Sequence, residues 1–212
     1  MSTGVIMRSQ SKVFVMLALV LCFSASCMSC NKSPSQAAST APAERNGRWA
    51  VPLEVEGLPN LFQVTPDIYR SAQPDETGMQ NAKKMGIKTI LSFRTSNKDP
   101  KLSEGTGLIP RRVPITTWAV EDDEIVEALR IIRLSPKPML VHCLHGADRT
   151  GLIMAMYRMV FQGWSKEEAK DEMINGGYGY HSMWTNIPKE IDKADIEAIK
   201  AKVFAGPSPN GR

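Results

Sequence analysis

From about residue 61 onward, short apolar runs alternate with amphipathic stretches. The runs at 61–64 and 68–70 read as short strands around a Thr65-Pro66-Asp67 turn; those at 89–93, 111–115 and 139–142 read as further strands. Between them the period lengthens. Residues 75–85 fit a helix opened by Pro74-Asp75 and stopped by Gly86. Residues 122–134 place Ile125, Leu129 and Ile132 on one face, behind the acidic start Glu121-Asp122-Asp123. Residues 150–163 are apolar nearly all round, the pattern of a helix buried on every side. Ser165-Lys166-Glu167-Glu168 has the capping-box spacing of another helix start, with Gly176-Gly177 as its end. A last helix is predicted over 187–203, with Ile196, Ile199 and Val203 on one side. The polar segment 95–107 reads as a loop, and 49–59 has no assignable pattern. Strand and helix signals in alternation predict an α/β fold, a central and mostly parallel sheet of four to five strands flanked by helices.

The N-terminal part follows another pattern. Arg8 and Lys12 precede an apolar core at 13–23, which has the length of a signal peptide and is short for a membrane span. Ser24-Ala25-Ser26 supply small residues before Cys27, so the segment is similar to a bacterial lipoprotein signal, with Ser24 where leucine is usual. Cleavage there would leave Cys27 to be lipidated; Cys30 is a second candidate, and plain secretion is the alternative. Residues 31–48 have almost no large apolar side chain and are rich in Ser, Ala and Pro, the composition of a flexible tether. The expected organisation is a signal peptide at 1–26, a tether at 27–48, one domain at 49–206 and a frayed tail at 207–212. The protein is expected to be exported, periplasmic or outer-surface, and to meet a membrane only through a lipid anchor at Cys27.

Composition narrows the classes. Apolar residues make up 42% and charged residues 23%, ordinary for a domain with a real core. Of the 26 basic residues Arg8 and Lys12 fall in the leader, leaving 24 against 22 acidic, too even a balance for a nucleic-acid partner. Three of the four cysteines, Cys22, Cys27 and Cys30, lie in or just past the leader. Cys143 is therefore the only one in the predicted domain, which can form no internal disulfide. A lone thiol there points to chemistry.

That cysteine opens a short loop, Cys143-Leu144-His145-Gly146-Ala147-Asp148-Arg149, set between the 139–142 strand and the buried helix. A helix N-terminus directs backbone N–H groups at an anion. The dipole and an adjacent cation favour the thiolate, the nucleophilic form. Arg149 offers a planar fork that matches two phosphate oxygens. The local reading is phosphoryl transfer through a cysteine.

His142-Cys143 followed by Arg149-Thr150-Gly151 resembles the signature of the cysteine-dependent protein tyrosine phosphatase superfamily. With Tyr69-Arg70-Ser71-Ala72-Gln73-Pro74 and the 87–94 segment, the chain looks most like a bacterial member of its dual-specificity-like branch. The resemblance implies that Cys143 attacks phosphorus to give a phosphocysteine that water hydrolyses. Leu144, His145, Gly146, Ala147, Asp148 and Arg149 then form the cradle for the phosphoryl oxygens. Thr150 would donate its hydroxyl to the departing thiolate, with helix N-capping as its other reading. His142 would order the loop. Arg70 and Arg94, at strand ends near it, are expected to pair with acids structurally, with added positive potential as the alternative. Gly176-Gly177-Tyr178-Gly179-Tyr180-His181 reads as a turn at the rim of the pocket.

The general acid departs from the family pattern. Its usual place falls near Thr116-Thr117-Trp118, where there is no carboxylate. Asp148 is the preferred substitute, as in myotubularin-like phosphatases, with Asp122 and Asp123 as alternatives. No cofactor and no metal are expected, since His142 and His145 have no evident third ligand. The expected substrate is a phosphorylated protein, tyrosine or serine/threonine, with a phosphoinositide or inositol phosphate as alternative. A phosphate-binding module without turnover and a sulfurtransferase stand as readings from other classes. Oligomeric state stays open.

Overall fold

The computed structural model describes residues 46–205. The expectations for the signal peptide, Cys27, Cys30, most of the tether and the tail fall outside the described residues. Residues 46–48, counted above with the tether, already belong to the fold: the Arg48 guanidinium lies 4.5 Å from the Trp164 ring centroid and pairs with Glu168.

The sheet has six strands where four to five were expected: β1 (Val51–Pro52), β2 (Phe62–Thr65), β3 (Ile68–Ser71), β4 (Thr89–Ser92), β5 (Ile109–Arg112) and β6 (Met139–His142). Their order is β1-β2-β3-β6-β4-β5. β3, β6, β4 and β5 run parallel, while β1 and β2 are added antiparallel at one edge. The extra strand β1 lies in the segment that showed no pattern; two exposed residues are too few for alternation to register. β6 is central and buried along its whole length, as a parallel strand covered on both faces must be.

Side-chain alternation splits the core between the two faces. Met139 and Val141 join Leu91 and Phe93 in the larger cluster, under α3 (Asp122–Leu134), α4 (Asp148–Gln162), α5 (Lys166–Asn175), α6 (Asn186–Lys193) and α7 (Ile196–Phe204). Leu140 and Ile90 turn the other way, onto Met79 and Ala82 of α1 (Glu76–Lys84).

Three boundaries differ from expectation for local physical reasons. The strand expected at 111–115 pairs instead over Ile109–Arg112, whose half-exposed and exposed side chains suit a sheet edge; apolar Val113 and Ile115 follow it and are buried beside β4. The loop expected at 95–107 contains a short helix, α2 (Asp99–Leu102). The last helix is two, because Asp195 accepts from the Ala198 N–H at 3.0 Å and so caps a new start.

Candidate active site

β6 delivers His142, and α4 begins at Asp148 rather than 150, with Ala147 as an N-cap that makes no side-chain capping bond. The loop between them is gripped from outside through its carbonyls. Gln73 donates its N–H to Leu144 O at 3.1 Å, Asn60 Nδ2 donates to His145 O at 2.8 Å, and Arg70 Nη2 donates to Gly146 O at 2.7 Å. A trans peptide points its N–H opposite its carbonyl. Binding three successive carbonyls from one side therefore turns the N–H groups of 145, 146 and 147 to the other, where an anion would sit. Gly146 allows the bend: its φ is 72°, and a Cβ there would fall 2.5 Å from Ser71 O.

Beneath the loop the supports are buried and charged. His142 lies between two acceptors, Asp99 Oδ2 at 3.0 Å and Cys143 O at 3.1 Å. Burial of Asp99 opposes its ionisation, but hydrogen bonds with His142, Gln73 and Ser92 outweigh that and hold its carboxyl below the usual range. Arg70 is 2% exposed, with its guanidinium 3.5 Å from the Tyr178 ring centroid. Burial pulls its pKa down from the ordinary value while Tyr178, Glu172 and Cys143 oppose the shift. Arg94 donates to Gln73 Oε1 at 2.7 Å. Neither arginine hydrogen-bonds an acid among the described residues: Arg70 holds the Gly146 carbonyl and Arg94 the Gln73 amide, so their structural contacts are with uncharged partners.

The loop opens into a cavity of about 330 Å³ lined by Thr117, Leu144, His145, Asp148, Arg149, His181, Met183 and Trp184. Cys143, Gly146, Ala147 and Thr150 are buried and are not among the residues that line it. Arg149 Nη1 rests on the carbonyls of Phe93 and Ile115 at 3.3 and 3.4 Å. Thr150 Oγ1 is buried with no hydrogen-bond partner among the described residues, so it does not cap α4.

Of the acid candidates only Asp148 faces the cavity. It is the single carboxylate of the lining. Asp123 is 95% exposed in its side chain and faces Lys202 at 3.7 Å, and Asp122 is exposed on the first turn of α3. Thr117 lines the cavity at the place where an acid would be usual in the resembling family.

The 176–181 turn expected at the rim brings His181 to the cavity, and residues without a sequence signal complete the site. Asp148 accepts from the His181 backbone N–H at 3.0 Å, and the His181 Nδ1 lies 2.9 Å from Oδ2. Asn60 ties the same segment to the loop by donating also to Tyr178 O at 2.9 Å. Trp118 stacks on Trp184 at 6.4 Å across the rim. Spacing along the chain relates none of these to the loop.

His145, Asp148 and His181 bring donor atoms within 4.8 Å of one another and are the group that a metal would use. Their hydrogen-bonded edge of 2.9 Å is tighter than the roughly 3.3 Å between neighbouring ligands of a tetrahedral zinc ion. Asp148 and His181 satisfy each other instead.

Comparison with known proteins agrees with this geometry. A family model described as "Tyrosine phosphatase family" matches residues 58–177, more than half of the chain. The dual specificity protein phosphatase TpbA of Pseudomonas aeruginosa is 34% identical over 178 residues, covering 82% of this chain and 78% of the relative. The crystal structure of a cysteine-to-serine variant of P. aeruginosa TpbA in complex with phosphotyrosine superposes with a TM-score of 0.70 at 30% identity, over 76% of this chain and 99% of that one. The core catalytic domain of the PP-IP phosphatase SIW14 from S. cerevisiae shares the fold, with a TM-score of 0.60 at 23% identity over 69% of this chain and 92% of that one. On the family match and the 34% identical relative together, the chain belongs to the tyrosine phosphatase family as a cysteine-dependent phosphatase.

Proposed function

We propose that the enzyme hydrolyses phosphotyrosine in proteins, with phosphoserine and phosphothreonine as slower substrates. The observation that supports this is the make-up of the cavity wall: one guanidinium, Arg149, beside Leu144, Met183 and Trp184. One cation matches one phosphoryl group, and the apolar wall suits the ring that carries it. An inositol polyphosphate would ask for several cations.

In this reading Cys143 Sγ attacks phosphorus in line as the bond to the tyrosyl oxygen breaks. The N–H groups of the 144–149 loop and the Arg149 fork hold the equatorial oxygens as charge spreads over them. Asp148 protonates the leaving oxygen. It then takes a proton from the water that attacks the phosphocysteine, and Thr150 donates to the thiolate as the S–P bond breaks. In this reading Asp148 also stands in for the carboxylate missing at 116–118.

The test is a substrate panel on the full chain: phosphotyrosyl and phosphoseryl peptides, inositol hexakisphosphate and thiosulfate. The expected order of kcat/KM places the phosphotyrosyl peptide first, with activity abolished by vanadate and by Cys143→Ser. Faster turnover of the inositol phosphate would overturn the substrate assignment, and consumption of thiosulfate would overturn the reaction class. The address of the enzyme rests on the leader pattern alone, which would export the domain and lipidate Cys27. Labelled palmitate should enter the wild-type protein in bacterial cells and not Cys27→Ala; label retained by the variant would point to Cys30 or to another mode of attachment.

A further inference from the structure

Asp148 is held more tightly than a surface acid needs. Its side chain is 8% exposed, and its carboxylate meets two groups of one residue: the His181 backbone N–H at 3.0 Å to Oδ1, and the His181 ring Nδ1 at 3.1 Å to Oδ1 and 2.9 Å to Oδ2. The peptide N–H fixes one oxygen and the ring bridges both, so the carboxylate cannot turn about its own axis without losing a bond. The segment that leads to His181 is held in place. Tyr178 donates its hydroxyl to Glu172 Oε1 at 2.9 Å and is carried on the Arg70 guanidinium, while Tyr180 donates its hydroxyl to Trp184 O at 2.7 Å. The His181 side chain, 42% exposed, lines the same cavity as Asp148 and Arg149.

We infer that His181 is a positioning residue that aims the Asp148 carboxyl at the leaving oxygen, an inference that rests on Asp148 being the acid of the proposed mechanism. As the S–P bond forms and the P–O bond breaks, the electron pair leaves with the oxygen. That oxygen takes the Asp148 proton, and the carboxylate so produced keeps its bonds to the His181 N–H groups. In the second half the same carboxylate accepts a proton from the attacking water, and the pair returns to its starting state. Acid catalysis fails when the proton is an ångström out of place, so fixing the carboxylate is worth rate and not only stability.

A positioning role and a purely structural one differ in what they do to different leaving groups. Phenols that leave readily as anions need little proton donation; tyrosine needs it. The experiment measures kcat/KM for phosphotyrosine, phenyl phosphate and difluoromethylumbelliferyl phosphate with wild type, Asp148→Asn, His181→Ala and His181→Asn in the full chain. Asn places its Nδ2 where the histidine Nδ1 stands and can donate the same bond. His181→Ala should lose about tenfold more rate on phosphotyrosine than on the acidic umbelliferone, in parallel with a larger loss in Asp148→Asn. His181→Asn should recover most of that difference. An equal loss on all three substrates for His181→Ala, with Asp148→Asn still discriminating between them, would overturn the role of His181 alone. Absence of discrimination in Asp148→Asn would remove the acid assignment and this inference together.

Discussion

Thr150 holds a buried hydroxyl that makes no hydrogen bond among the described residues, on the first turn of the helix that follows Cys143. A polar atom buried without a partner costs stability, a cost that a role in the reaction would offset. In the proposed mechanism the departing thiolate of the phosphocysteine step is the missing partner. That thiolate is a charged acceptor, and a hydrogen bond to a charged group is worth about 1.5–3 kcal/mol. Thr150→Val keeps the shape and removes the donor. It should slow turnover by roughly tenfold to a hundredfold, at 1.36 kcal/mol per factor of ten. The loss should fall on hydrolysis of the phosphoenzyme, so rapid mixing with nitrophenyl phosphate should show a burst of nitrophenol that the wild type lacks. A variant slowed with no burst would place Thr150 in the first step instead.

At the scale of elements, the loop from Cys143 to Ala147 is shaped by β3 and the segment after it as much as by its own residues. Gly146 combines a left-handed φ of 72° with a Cβ direction that ends 2.5 Å from a backbone oxygen. Gly146→Ala meets strain and a clash with main chain that has nowhere to go. It should lose at least a hundredfold in kcat/KM while α4 and the sheet stay folded, which circular dichroism together with phosphatase assay would separate. Near-wild-type activity would show that the loop relaxes without harm. The same comparison explains what was legible beforehand. β6, the loop and α4 are contiguous in the chain, and each shows a strong local signal: a buried run, a glycine between a cysteine and an arginine, an apolar helix. Asn60, Asp99 and His181 reach the site across 85, 43 and 33 positions. Asn60 and Asp99 are of types common in loops, so neither period nor spacing marks them; His181 ends the turn placed at the rim, but only the tertiary fold sets it on Asp148. The edge strand β5 was misplaced for the related reason that its exposed face lacks the apolar residues by which strands are read.

Across the whole molecule, two buried acids join the layers on either side of the site. Asp99 connects α2 to β6 through His142. Glu172, 4% exposed, accepts from Arg158 Nε and Nη2 at 2.7 Å each, from the Ala50 N–H at 2.8 Å and from the Tyr178 hydroxyl, tying α4, α5, the N-terminal segment and the rim together. Burial opposes ionisation of both carboxyls, and their hydrogen bonds and ion pairs outweigh it, so both are held below the usual range. A carboxyl depressed in the folded state gives stability that is complete above its unfolded value, about 3.9 for Asp and 4.3 for Glu. That stability is lost as pH falls from there through the folded value, because the unfolded chain then binds more protons. Urea unfolding should therefore be level from pH 7 to about 5 and weaken steeply below about 4. Glu172→Gln leaves Arg158 buried without its counter-charge and should cost about 3 kcal/mol at pH 7. The variant has already lost the group whose protonation destabilises the wild type, so the gap between the two should narrow as pH drops toward 3. A gap that stays constant from pH 7 to 3 would mean that the Glu172 carboxylate contributes packing and not charge.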